Sequence, residues 1–392
     1  MTERATAEPP VVTADHMTLI GREELAGRGD CMHVNVVGGH AYVGHQGYTD
    51  AGTSVVDVSD PEHPRLVAQL PRPPGTHSHK VQVTGDIMLV NHERNRFESS
   101  PPRSWSAGLA VYDVSSPRRP RQIGFFPTPG TGVHRMAYWE PPYAFVSATD
   151  EGWTGRFLRI LDLSAPDRPR EVGRWWLPGQ RDGEEPSWRV RDGDHVLEVG
   201  LHHALPRGDR LYAGWWDAGM VILDIADPAR PRLVSRLELG PGSRNTHTAF
   251  PVPGREIVVV TDEQLTRYIG TQRHVRVVDV SDETAPRVVS RFPVPPGDFH
   301  ERGIRFGPHN VHEMRPGSLI DPDTIYLTYF AGGLRAYDIA DPAAPREIAH
   351  LVPGAPPGRP TIQCNDVTAD ADGLVYVTDR HTGGLYVIRH DR

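Results

Sequence analysis

The sequence predicts an all-β chain folded as a seven-bladed β-propeller, and three observations predict it. A phrase made of a β-branched strand ending in Asp, a turn rich in Ser, Asp and Pro, and a second strand returns six times, from SVVDVSDPEHPRLV at Ser54 to LRAYDIADPAAPREI at Leu334. A seventh copy, LYVIRHDR from Leu385, stops after its first strand, with Arg389 where the others carry Asp. The anchors at 57, 113, 162, 224, 279, 338 and 389 recur at intervals of 49 to 62 residues, the period of a four-stranded blade.

Within each unit, proline fixes φ in the turn, and Asp57, Asp113, Asp162, Asp224, Asp279 and Asp338 read as turn formers that accept backbone N–H bonds. Upstream lies a strand of the type AYVGH, IMLVNH or LYAGWWD, and another precedes it. Each unit therefore runs inner strand, second strand, anchor strand, outer strand. The unfinished last unit needs an outer strand from elsewhere. MTLIGREEL, from Met17 to Leu25, resembles the outer-strand text QIGFF and EVGRWWL, and is expected to supply it and hide an open edge. Residues 1–15 are then a mobile tail and 16–392 a single propeller domain. Insertions at 95–108, 179–196 and 296–306 are candidate lids over one face.

Composition excludes several function classes. The 39 glycines and 38 prolines make the chain turn-rich, while 38% hydrophobic residues suffice for a core at 392 residues. A net charge of -8 offers no phosphate-tracking surface, so nucleic acid is excluded as a partner. Cys31 and Cys364, with no CxxC pair, cannot form a disulfide framework; buried free thiols in a reducing compartment are expected. The N-terminus has neither the apolar run of a secretory signal nor any stretch of membrane-spanning length, so a cytoplasmic protein with no membrane partner is expected. No Gly-x-Ser-x-Gly elbow, P-loop or Rossmann fingerprint is present, which disfavours serine hydrolase and nucleotide-dependent chemistry.

The repeated phrase resembles the LVIVD-repeat family of β-propellers, over essentially the whole chain from about Met17. That resemblance implies a scaffold and leaves the activity to the site built on it. More loosely, a seven-bladed ring with histidines at its blade openings is similar to the selenium-binding protein and methanethiol oxidase group. This second resemblance implies copper and sulfur oxidation.

Of the 20 histidines, many open the inner strands: Gly75-Thr-His77, Gly132-Val-His134, Gly200-Leu-His202, Asn245-Thr-His247 and Gly307-Pro-His309. Cys31-Met-His33 holds this place in blade 1, and Gln363-Cys-Asn365 in blade 7. One residue from the start of each inner strand forms a circle at the channel mouth, and imidazole is the usual ligand of iron, copper, zinc and nickel. His77, His134, His202, His247 and His309 are therefore the expected metal ligands, with His33 behind them. The alternative is structural: each histidine braced by an Asp some 15 residues on, as Asp50, Asp150, Asp217 and Asp262 are placed to do. Where the repeat breaks, extra groups appear. Blades 2 and 6 lack that Asp and carry His77-Ser-His79 and His309-Asn-Val-His312-Glu313, and blade 4 has His202-His203. His79, His203, His312 and Glu313 are thus candidates for acid/base duty. Lys80 and Arg135 could hold an anionic substrate group, although ordinary surface charges are commoner. His45 and His92 read as exposed turn residues.

These residues predict an oxidoreductase or oxygenase that acts on a small organic molecule with a His-ligated transition metal, iron or copper before zinc. The alternatives are a metal-assisted lyase, hydrolase or isomerase on the same site, and a non-catalytic binding scaffold.

Overall fold

The computed structural model describes residues 11–98, 102, 104–240, 244–265 and 272–391. Seven antiparallel sheets stand around one axis as the blades of a propeller, with no α-helix among the described residues. Blade 1 is typical, running Cys31–Val37, His40–His45, Ala51–Asp57 and Arg65–Pro71 from the axis outward. Blade 2 splits its inner strand into Thr76–His77 and Val81–Thr84. In blade 6 the innermost segment touches Thr324–Thr328 through a bridge from Val311 to Leu327. Met17–Glu23 is the outermost strand of the last sheet, antiparallel to Gly384–His390. Val11–Asp15, at the end of the expected tail, is also strand: it pairs with Arg346–Pro353 and covers the outer edge of blade 6. No helix among the described residues is long and apolar enough to cross a membrane.

The repeated phrase builds the contact between blades. Every anchor Asp accepts the backbone N–H two residues on, as Asp57 does from Ser59 and Asp338 from Ala340. The turn so formed pushes a carbonyl into the outer strand of the preceding blade. Ser235 and Ser290 donate to that carbonyl, on Glu283 and Pro342. At Gly173 the approach is closer: a Cβ there would lie 2.0 Å from Pro228 O. Gly173→Val is accordingly expected to cost about 3 kcal/mol or more, read as a lowered Tm, because a backbone carbonyl cannot yield as a side chain can.

A second device aims the inner strands at the axis. In blades 1, 3, 5 and 7 the ladder skips Met32, His134, His247 and Asn365, each the extra residue of a β-bulge. In blade 4 His202 and His203 both face Gly214, and in blade 6 His309 and Asn310 both bond Thr328. The register break in blade 2 spans 78–80. A bulged residue turns out of the pleat, so these positions circle the channel mouth.

Candidate metal centre

The circle comprises Met32, His79, His134, His202, His247, His309 and Asn365. Two expected members are displaced. In blade 1 Met32 holds the place assigned to His33, because the bulge falls one residue earlier; in blade 2 His79 holds it, with His77 stacked on it at 4.2 Å between ring centroids. The imidazoles run as a chain: His79 to His134 at 5.0 Å, His134 to His202 at 4.8 Å, His202 to His247 at 3.9 Å and His247 to His309 at 4.4 Å. They line a cavity of about 700 Å³. Its rim includes Phe97, Trp188 and Arg305, one from each sequence insertion.

A second circle, at or just past the end of the second strand, was not singled out from the sequence. It holds Gln46, Glu93, Thr149, Trp216, Glu263, Phe330 and Arg380, all but Phe330 on the cavity wall. The signal was available, since Glu93 follows His92 where Glu263 follows Asp262. Trp216 and Phe330 reach it through left-handed backbone, φ 45° in each. Trp215 instead packs in the core and donates to Gln180 Oε1.

Counting protons fixes what the imidazoles can do. His77 Nδ1 lies 2.9 Å from the Gln46 carbonyl and His202 Nδ1 3.1 Å from the His247 carbonyl. His134 Nδ1 lies 2.9 Å from Glu93 Oε2. Carbonyl and carboxylate oxygens only accept, so each Nδ1 carries the proton and each Nε2 is a bare lone pair. Yet His134 Nε2 stands 3.0 Å from His202 Nε2, and His77 Nε2 stands 3.1 Å from Glu93 Oε2. A proton shared along the His77–Glu93 ion pair answers the second contact, whereas the first sets two lone pairs against each other and a cation between them resolves it. A proton serves poorly, for burial, with Arg156 adding to it, pushes His134 down to about 3, and burial holds His202 well below its usual value. A metal fits better: bonds of about 2.0–2.1 Å at tetrahedral angles put donor atoms about 3.3 Å apart.

The surroundings support this. His247 Nε2 is buried without a hydrogen-bond partner. Its ligand atom, with those of His202 and Glu263, falls within 4.8 Å of the others, as do those of His77, His79 and Glu93. Burial alone would raise the Glu93 carboxyl, but its contacts with His134, His77 and His79 outweigh burial and hold it well below the usual range. The carbonyls and Glu93 that occupy the Nδ1 atoms are the outer partners that orient metal-bound histidines. His79 is different. Its Nδ1 accepts from Asn91 Nδ2 at 3.0 Å, so Nε2 bears the proton, 3.8 Å from Glu93 Oε2.

The Asp residues do not brace the circle. Asp50, Asp150 and Asp262 pair with Arg28, Arg174 and Arg276, and Asp217 accepts a backbone N–H group. Three of the expected acid/base residues lie away from the cavity. His312 spends both nitrogens, Nε2 donating to Leu319 O at 2.8 Å and Nδ1 accepting from Ala369 N at 3.1 Å, and so ties blade 6 to blade 7. His203 and Glu313 sit one layer down the channel, 3.4 Å apart, where Glu313 also pairs with Arg135 at 2.9 Å. Arg135 and Lys80 are buried, not surface charges. His45, bonded to Asp30 and Ser54, and His92 are buried too, correcting the exposed role expected of them. Cys31 and Cys364 are buried free thiols.

Burial pushes His92 and His312 down to about 4. Their folded values lie below the unfolded value of about 6.5, so the unfolded chain binds more protons between these limits and stability falls as pH drops from about 6.5 toward 4. In His92→Gln the urea midpoint is expected to fall less steeply over that window, by at most about 1.4 kcal/mol per pH unit in stability.

Comparisons place the scaffold. The LVIVD repeat family model matches residues 28–70 and 207–238. No curated protein matches the sequence. Among solved structures, a hypothetical selenium-binding protein from Sulfolobus tokodaii is similar at 14% identity and TM-score 0.59, covering 93% of each chain. The Cps50 (Swd1) β-propeller domain of Myceliophteria thermophila is similar at 11% identity and TM-score 0.58, over 97% of this chain and 99% of that one. A chain of the mitotic checkpoint complex aligns at 10% identity and TM-score 0.57, over 100% and 98%. At these identities the likeness is one of fold. The chain is a seven-bladed β-propeller that carries the LVIVD repeat and shares its architecture with a selenium-binding protein.

Proposed function

We propose that the chain is a metal-dependent oxidoreductase of the oxygenase kind, acting on a small organic molecule at the axial mouth of the propeller. The observation that carries this reading is the pair of facing Nε2 lone pairs on His134 and His202, 3.0 Å apart and each oriented through its Nδ1 proton. His247 flanks it as a further donor, with Glu263 within 4.8 Å of both His202 and His247. Imidazole and carboxylate without thiolate suit iron or copper, and also zinc. Such a metal, when bound, supplies Lewis acidity and, for iron or copper, one-electron and dioxygen chemistry.

The chain supplies the rest. Glu93 holds His134 in place by accepting its Nδ1 proton, and the His247 carbonyl fixes His202 in the same way. His79, with its proton on Nε2 toward Glu93, is placed to give or take a proton at the cavity wall. Trp188, Leu197 and Trp216 line the mouth with apolar surface that excludes water from the bound molecule.

Elemental analysis of protein purified without a histidine tag tests the reading. About one transition metal ion per chain is expected, with oxygen uptake on adding a substrate. Metal without oxygen uptake would favour a lyase, hydrolase or isomerase. A chain that takes up no metal after incubation with iron, copper and zinc would leave a binding scaffold.

A further inference from the structure

We infer that the cavity takes a small organic carboxylate, its charged head held between Lys80 and Arg380 and its apolar body lying under Trp188 and Trp216 toward His134 and His202. The inference deepens the proposed function, and rests on it only for the direction in which the body points.

The argument begins with which cations are already satisfied. Of the guanidinium groups on the wall, Arg305 pairs with Glu263 at 2.9 Å and Arg156 with Glu93 at 3.5 Å. Arg96, also on the wall, is exposed to water, and two buried cations have nothing comparable. Arg380 is 7% exposed; its Nη1 has no hydrogen-bond partner, and its Nη2 reaches only Gln46 Oε1, at 3.5 Å. Lys80 is 2% exposed and lines the cavity, and among the described residues no acceptor lies within hydrogen-bond or ion-pair distance of its ammonium. A buried donor left without an acceptor costs about 1–3 kcal/mol, more when charged, and a fold tolerates it where a ligand completes the site.

The two groups come from opposite parts of the chain yet serve one place. Both line the one cavity, together with His309. Arg380 lies 5.7 Å from the Phe330 ring and Arg305 5.4 Å from the same ring, so two guanidinium groups gather at blades 6 and 7, and Lys80 reaches the cavity from blade 2. The apolar end is opposite. Trp216 of blade 4 stands 5.0 Å from His202, and Trp188 and Leu197 come from the insertion before that blade. A cavity of about 700 Å³ with a cationic end and an aromatic end selects an amphipathic anion over a bare inorganic one or a neutral molecule. Carboxylate is the head that a guanidinium and an ammonium bind through charge-assisted hydrogen bonds.

Calorimetric titration of the full chain, metal-loaded and chelator-treated, tests this with benzoate, cyclohexanecarboxylate and hexanoate, each paired with its neutral amide, and with inorganic phosphate. At least one carboxylate is expected to bind about ten- to a hundredfold more tightly than its amide and than phosphate. Arg380→Gln and Lys80→Met are each expected to weaken that binding by about tenfold or more. Carboxylates binding no better than their amides would overturn the inference, and that comparison needs no variant to fold. Phosphate binding more tightly than every carboxylate would also overturn it. Metal content of the same samples keeps the two readings apart: discrimination of carboxylate from amide by a chain that takes up no metal would support the anion site while overturning the metal centre.

Discussion

His202→Ala protein is expected to retain less than about a tenth of the wild-type metal content, because the substitution removes one half of the facing Nε2 pair. The Nε2 atoms of His134 and His202 are 3.0 Å apart, each with its ring proton held on Nδ1, and a cation between them accounts for their approach. Elemental analysis of matched preparations reads the effect. His63→Ala is the control, since that imidazole is exposed and bonded to Asp60 on the outer rim. Metal retained equally in both variants would remove His202 from the site.

Glu93→Gln is expected to weaken metal binding by about 10- to 100-fold, read by competition with a chelator of known affinity. Glu93 is not an isolated acid. One of its oxygens accepts from His134 Nδ1 and faces His77 Nε2, and the other lies 3.5 Å from Arg156. Glutamine keeps the shape but removes the negative charge that offsets Arg156 and a bound cation. The substitution also carries a pH signature. The Glu93 carboxyl titrates lower in the folded chain than in the unfolded one, so its contribution to stability is present above about pH 4.5 and is lost as pH falls through the folded value. In metal-free Glu93→Gln that acid loss is absent, and the stability profile below about pH 4.5 should be shallower than in the wild type.

The blades could be read from the chain because one phrase does the same physical work in each. The anchor Asp closes its turn on a backbone N–H two residues on, an interaction that needs only local sequence. The opening of the inner strand was legible to within two residues, and it failed where a bulge intervened. A Gly-x-His pattern fixes the glycine, but which following residue turns toward the axis depends on where the ladder skips. That residue is Met32 in blade 1 and His79 in blade 2, so His33 and His77 were misplaced although His77 still reaches the wall. The second circle went unread for a different reason. Glu93, Glu263 and Arg380 stand at or just past strand ends, where charged residues ordinarily face water, and only closure of the ring turns them inward. His312 misled in the opposite direction: an extra histidine beside a repeat position suggested chemistry, whereas its two nitrogens answer the polar backbone of Leu319 and Ala369.

The central claim is that separate blades deliver imidazole nitrogens to one metal ion. Anomalous diffraction from crystals of the metal-loaded chain, recorded at the absorption edge of the bound element, tests it most directly. The account predicts one strong peak within about 2.3 Å of both His134 Nε2 and His202 Nε2, with His247 or Glu263 completing the set. A map of fully loaded crystals with no peak there, and with the two nitrogens bridged by a proton or a water molecule, would contradict it.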